Sequence, residues 1–432
     1  MTAQIGIISD DFTGANDSGV RLAQKGLKSK VILAETGELE HKGNSGIDVW
    51  IVDTDSRAMG AEDAYQAVWQ EVTRLKKRGV KKFYKKVDST MRGSVAAELK
   101  AVQEAAAMDI LFIAPAFLDM GRTVENGILY VNGIPVAETE FGQDPKTPVR
   151  HSYIPDLLAA GQMKTAVLTR SLLWSGSPET WVREQVESGV RWIVCDAAEE
   201  ADFSKLAALG SNLDLAVGWA GSAGLIQHLY NEHSKSSTPL QSLQRPAEKV
   251  LVVSGSLSSK TLEQLQKLKT RTATKVIEIN PLQLLKDPAQ AAAELSVLTE
   301  AGSWDSAVLY VAGTKENREK VRVWAADNGW TPNRTGKGIS EGLGHLVQAA
   351  LGAADIDALI MTGGDTAKDI CGTLGILDME LLFEVEPGMP LGMVTWSGKE
   401  MMAITKAGGF GSPDSLVNAV DYLKGAGLHA NN

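Results

Sequence analysis

Short apolar runs alternate with longer amphipathic stretches along almost the whole chain, and no other feature restricts the fold so tightly. The runs at 5–8, 30–33, 49–52, 82–86, 110–114, 166–168, 192–195 and 215–218 have the length of strands rather than of buried helices. The stretches at 61–78, 94–106 and 178–188 carry helical periodicity. Strand and helix in turn predict largely parallel sheets flanked by helices, an α/β architecture. One segment departs from the rhythm: Asn132-Gly133 lies between two apolar stretches within 129–136, which predicts a β-hairpin.

A polar, turn-rich stretch follows His228 and runs through 234–239 to Arg245-Pro246. It reads as a linker. The alternation then resumes, with strands expected at 250–253, 275–279, 307–311 and 359–362 and a closing pair at 394–395 and 402–405. A chain of 432 residues suits two or three domains. The expected division falls near 235–248, between an N-terminal domain of residues 1–235 and a C-terminal domain of residues 249–432.

The net charge of −10 argues against a nucleic-acid or anionic-membrane partner, since both require a basic face. The two cysteines, Cys195 and Cys371, supply neither a disulfide framework nor a zinc site. Six scattered histidines lack metal-ligand spacing, so no protein-built metal site is expected. No apolar run approaches the ~18 residues of a membrane helix. The start of the chain lacks the basic and apolar regions of a signal peptide, and a cytoplasmic location is the expectation.

Polar residues concentrate where strands give way to helices, the side of a parallel sheet on which ligands bind. Ser9-Asp-Asp-Phe-Thr-Gly-Ala-Asn-Asp17 follows the first strand. Its adjacent carboxylates, Asp10 and Asp11, suit three tasks: orienting a hydroxyl, accepting its proton or holding Mg²⁺. Helix capping by Asp11 or Thr13 is the competing explanation. Lys85-Lys-Val-Asp-Ser-Thr-Met-Arg-Gly93 brings Lys86, Asp88, Ser89, Thr90 and Arg92 together, a mixture suited to a hydroxylated carboxylate. Asp53-Thr-Asp-Ser-Arg57 adds Arg57, able to take a carboxylate side-on, unless it is a plain surface turn. In the second half, Ser254-Gly-Ser-Leu-Ser-Ser-Lys260, Thr362-Gly-Gly-Asp-Thr-Ala-Lys368 and Ala407-Gly-Gly-Phe-Gly411 each follow a strand. Three small-residue turns in one domain point to a phosphate cradle of backbone N–H groups. The phosphate-loop pattern G-x-x-x-x-G-K-[ST] and the dinucleotide pattern G-x-G-x-x-G do not occur.

These motifs, with Ala114-Pro-Ala116, Gly121-Arg-Thr123, Val131-Asn-Gly-Ile-Pro135 and Asp144-Pro-Lys-Thr-Pro148, resemble the four-carbon acid sugar kinase family in content and order. Gly363-Gly-Asp-Thr366, Pro387-Gly-Met-Pro-Leu-Gly392 and Thr405-Lys-Ala-Gly-Gly-Phe-Gly411 resemble the nucleotide-binding half of that family. The resemblance implies an N-terminal sugar-acid domain, a C-terminal ATP domain and catalysis in the cleft between them. It implies ATP and Mg²⁺ as cofactors and D-threonate as substrate, with D-erythronate or a 3-oxotetronate as alternatives. A homodimer is an accompanying expectation. Carried over by motif, the acid would meet Asp10, Arg57, Lys86, Val87, Asp88 and Ser89. The nucleotide would meet Ser254 or Ser256, Gly363, Gly364, Asp365, Thr366, and Gly408 or Gly409.

On this reading Arg57 and Lys86 hold the acid, Asp11 or Asp88 accepts the proton of the terminal hydroxyl, and Arg92 or Lys406 neutralises the transferring group. A sugar-acid dehydrogenase or aldolase on a similar frame is a competing class, as is a sugar-acid sensor without catalysis. NAD reduction with tetronates would reveal the dehydrogenase. ATP turnover on adding substrate separates the kinase from the sensor.

Overall fold

The computed structural model of the chain describes residues 5–33, 46–144, 146–230, 246–256, 258–300 and 303–425. The chain divides into two compact units, one of residues 1–31 and 40–237, the other of residues 32–39 and 238–432. The expected linker at 234–246 lies outside the described residues except for Pro246.

The first unit is built on strands β1 (Ile5–Ser9), β2 (Ser29–Ile32), β3 (Val49–Asp53), β4 (Lys82–Lys86), β5 (Ile110–Ala114), β9 (Thr165–Leu168), β10 (Trp192–Cys195) and β11 (Val217–Gly221). Their order across the sheet is β2-β3-β1-β4-β11-β5-β10-β9. The pairings from β3 through to β9 are all parallel. Every residue of β1 and β5 is buried, which is why they read as unbroken apolar runs. Register sets the site: Ser9 lies opposite both Asp53 and Lys86, and Lys86 lies opposite Gly221. The three polar motifs of this half therefore leave the sheet side by side.

Strands β6 (Arg122–Glu125), β7 (Ile128–Val131) and β8 (Ile134–Pro135) form a separate antiparallel sheet. The expected hairpin turns at Asn132-Gly133, with φ of 50° and 79°. A second turn of the same kind at Asn126-Gly127, with φ of 52° and 74°, joins β6 to β7 and was not anticipated. Positive φ at both central residues matches the right-handed twist of the flanking strands, and Asn-Gly tolerates it.

The second unit carries β12 (Val250–Ser254), β13 (Thr274–Ile279), β14 (Ser306–Val311), β15 (Ala358–Thr362), β16 (Asp378–Glu384), β17 (Pro390–Trp396) and β18 (Lys399–Lys406). Their order is β13-β14-β12-β15-β18-β17-β16, parallel as far as β18 and antiparallel beyond it. Val252, Val308, Ile360 and Ile404 pack with Leu265 and Leu416 as its core. Here β12, β15 and β18 are neighbours, so the three small-residue turns also leave together.

Two sequence expectations need correction. The strand expected at 215–218 is Val217–Gly221, because Ala216 is held just before it by the Asp109 carboxylate, at 2.8 Å. Its glycines run inside the strand, where a Cβ on Gly221 would sit 2.3 Å from the Ala114 carbonyl oxygen. Strand β16 was missed because its acidic residues interrupt the apolar pattern. Both cysteines are buried free thiols. Among the described residues no helix is long and apolar enough to cross a membrane.

Candidate active site

Three loops meet at the carboxyl ends of β1, β3 and β4. Asp11 is the N-cap of the helix Phe12–Ala23 and its Oδ1 accepts the Gly14 N–H at 2.9 Å, so the capping explanation is correct as far as it goes. Its other oxygen is engaged elsewhere. The Arg57 guanidinium reaches Asp10 through Nε at 2.7 Å, Asp11 through Nη1 at 2.8 Å and Asp88 through Nη2 at 3.8 Å. One cation thus gathers the carboxylates of two motifs. Gly93, at φ 96°, leaves room for this loop, since a Cβ there would lie 2.7 Å from the Arg57 carbonyl oxygen.

Asp88 takes a side-on pair of hydrogen bonds from Arg92, at 2.7 and 3.0 Å, and another from the Thr90 hydroxyl. Arg92 extends to Asp144 at 3.4 Å. Val87 is fully buried, its N–H donating to the Gly221 carbonyl at 2.9 Å and its carbonyl accepting from Lys86. Ser89 lies half-buried on the same turn. The Lys86 ammonium donates to the Val87 carbonyl at 2.9 Å and lies over Gly14, where a Cβ would come within 2.5 Å of Nζ. Beneath the loops, Lys85 and Glu98 form a fully buried ion pair at 3.0 Å.

These neighbours divide the aspartates electrostatically. Burial alone would raise Asp10, but Arg57, Lys85 and Lys86 outweigh it and hold its pKa below the ordinary value. Burial raises Asp11, against the pull of Arg57, and the charge of Asp10 adds to the rise. Asp88 is driven far down, its burial overcome by Arg57, Arg92 and Thr90. Asp10 is 1% exposed, and its Oδ1 is buried with no hydrogen-bond partner among the described residues. A buried carboxylate oxygen left unpaired is costly, and a hydroxyl donor relieves the cost.

The β6–β8 sheet adds Arg122, which sequence reasoning did not place. Arg92 and Arg122 both lie over the Phe141 ring, at 5.3 and 5.8 Å from its centroid. The signal for Arg122 was present in Gly121-Arg-Thr123 but carried no assigned role.

In the second unit Ser254, Ser256, Gly363, Thr366 and Gly408 come together. The Thr362 hydroxyl donates to Ser254 Oγ at 2.7 Å. A Cβ on Gly408 would sit 2.4 Å from Ser256 Oγ, and one on Gly363 would sit 3.2 Å from Thr366 Oγ1. Gly409 faces open space. Gly363, at φ 96°, opens the helix Gly364–Leu374, whose first turn has no side-chain cap and carries Asp365 on its exposed face. Uncapped N–H groups at a helix start are a phosphate-binding surface. The sequence also offered Lys406 as a cation to neutralise the transferring group. It is 2% exposed, and its amine donates to the carbonyls of Ala407, Gly408 and Phe410 at 2.8, 3.4 and 3.0 Å. Burial, reinforced by the charge of Lys260, pulls it down to about 8.

Residues 5–229 match the model of a sugar-binding N-terminal domain, and residues 251–416 that of a nucleotide-binding C-terminal domain. A D-threonate kinase of Salmonella typhimurium is 32% identical over 97% of this chain and 98% of its own. The chain belongs to the four-carbon acid sugar kinase family. A D-erythronate kinase of Heliobacterium modesticaldum is 30% identical, with 96% of both chains covered. A Haemophilus influenzae protein of known structure shares the fold, with a TM-score of 0.76 and 21% identity over 97% of this chain and 99% of that one. In this family member the acid-side and nucleotide-side clusters each stand at the carboxyl ends of parallel strands.

Proposed function

We propose that this chain is an ATP-dependent kinase that phosphorylates the terminal hydroxyl of a four-carbon sugar acid, D-threonate in first place. The observation that carries the proposal is its near-full-length similarity to D-threonate kinases of Salmonella typhimurium and Bordetella bronchiseptica, at 32% and 30% identity. D-erythronate is the second reading, favoured by the Heliobacterium relative. A 3-oxotetronate kinase of Cupriavidus necator is further off, at 26% identity.

The residues supply what phosphoryl transfer needs, which is positioning and charge balance more than covalent chemistry. Residues 1–235 would bind the acid and residues 249–432 the nucleotide. Asp10 would accept a hydrogen bond from a substrate hydroxyl through its unpartnered oxygen. Asp11 is the proton acceptor in this proposal, because its raised pKa brings a carboxylate closer to the range useful for a base. Asp88 is too acidic for that task and instead fixes Arg92, which is placed to offset negative charge. The glycine turns and the uncapped helix start at Gly364 would receive the phosphates. Among the described residues no cluster of three metal-ligating side chains exists. Mg²⁺ held chiefly by nucleotide oxygens fits that donor set, with Asp365 as a carboxylate available to it. Mg²⁺ would supply neutralisation of the phosphate charge.

An assay coupling ADP release to D-threonate, D-erythronate and their L forms tests the proposal. Turnover with one tetronate, absent without it, is the expected outcome. No ADP release with any of the four refutes the reading.

A further inference from the structure

The proposed substrate brings one carboxylate into a site that already holds Asp10, Asp11, Asp88 and Asp144. Something cationic has to receive it. Arg57 is the obvious choice from sequence, yet each of its three nitrogens already faces an aspartate. Arg92 is likewise taken, by Asp88 and Asp144. The Lys86 ammonium is buried against the Val87 carbonyl, and its charge acts on Asp10 and Asp11.

Arg122 differs. Among the described residues it has no carboxylate within salt-bridge distance, although Asp88 and Glu140 lie near enough to act on its charge. Its Nη1 donates to the Met120 carbonyl. Its Nε is buried without a hydrogen-bond partner. The edge formed by Nε and Nη2 is therefore left over, and that is an edge on which a guanidinium takes a carboxylate side-on. The guanidinium lies over the Phe141 ring, 5.8 Å from its centroid, and Arg92 lies over the same ring at 5.3 Å. The β6–β7 hairpin holds its backbone, with Arg122 paired to Val131.

We infer that Arg122 is the specificity residue that binds the substrate's carboxylate, while Arg57 organises the aspartates. The inference rests on the sugar-acid kinase reading above. It separates two roles that a single arginine would otherwise be asked to fill, since Arg57 already meets Asp10 and Asp11 at 2.7 and 2.8 Å and has Asp88 beside it at 3.8 Å.

The test compares Arg122→Gln and Arg122→Lys with the wild-type chain in steady-state kinetics. D-threonate is the acid probe, and D-threitol, the neutral polyol of the same length, is the competitive inhibitor. Losing a charge-assisted contact of about 1.5–3 kcal/mol should raise the KM for D-threonate roughly 10- to 150-fold in Arg122→Gln. Its kcat, its KM for ATP and the inhibition constant of D-threitol should stay near wild type. Arg122→Lys should recover part of the loss, because it keeps the charge without the fork. An unchanged KM, an equal loss for acid and polyol, or a fall confined to kcat overturns the inference and leaves the kinase reading standing. A wild-type chain that turns over no tetronate overturns both.

Discussion

Removing the Arg57 side chain tests how the acid-side cluster is held. In Arg57→Ala, Asp10, Asp11 and Asp88 lose the cation they share, at 2.7, 2.8 and 3.8 Å. Breaking a buried ion pair on one side costs about 3–5 kcal/mol, because the remaining charge is left uncompensated. For a folding unit of this size each kcal/mol shifts Tm by about 2–4 °C, so the variant should melt roughly 6–20 °C lower. The effect should depend on pH in a definite direction. Asp10 and Asp88 have depressed pKa values in the native chain, so their stabilisation is present above the unfolded carboxylate range and lost as pH falls through the folded values. Without Arg57 those values rise, and the variant binds protons that the wild type does not. The Tm gap should therefore narrow as pH falls through the carboxylate range, as read by calorimetry at pH 7 and pH 4. In kinetics the loss should appear in kcat as well as KM if Arg57 positions the aspartates rather than the acid. A Tm unchanged at pH 7, or a gap equal at both pH values, would falsify the account of Arg57 as the shared counter-ion.

Asp11→Asn should lower kcat by about 10²–10⁴ if Asp11 is the base, with little change in Tm because Asn caps a helix about as well as Asp; near-normal kcat moves the role elsewhere. Gly408→Ala places a methyl against Ser256 Oγ, an overpacking that should cost about 1–3 kcal/mol of stability and, by shifting the turn, raise the KM for ATP while sparing that for the acid. An unchanged KM for ATP would show that the turn does not approach the nucleotide. Lys406 has a folded pKa lowered to about 8, so between that pH and the unfolded lysine value the native chain holds fewer protons than the unfolded one. Its contribution makes unfolding free energy rise with pH there, and Lys406→Met should flatten that rise in denaturant titrations at pH 8 and 10.

Much of the architecture was legible because its signals are local. Strands Val49–Asp53, Ile110–Ala114 and Trp192–Cys195 coincide with apolar runs bounded by polar residues. Where a strand is built from glycines, as at Val217–Gly221, or exposes an acidic face, as at Asp378–Glu384, the apolar pattern that marks a buried strand fails. The site divides in the same way. That Asp10, Arg57 and Asp88 belong together follows from β1 lying between β3 and β4, an order the chain does not follow. The motifs suggested each residue, but only register shows that Arg57 spends its hydrogen bonds on aspartates. Arg122 enters from a different sheet, and the burial of Lys406 depends on carbonyls folding back over it. Neither relation has a signature in residue spacing.

The position of β11 bears on how the chain reaches this state. Strands β4 and β5 never touch each other, and β11 is the strip between them, hydrogen-bonded to both. It is also the last strand of the first unit to be synthesised, about a hundred residues after β5, which at roughly 5–20 residues per second is an interval of about 5–20 s. Until β11 is made, the edges of β4 and β5 that face it have no partner strand, and open edges invite pairing with other chains. Insertion of β11 closes the gap, stacking Trp219 on Phe112 at 5.0 Å and laying Gly221 beside Lys86. A chain that ends before residue 217 therefore lacks the one strand that pairs with both β4 and β5, and keeps those two edges open.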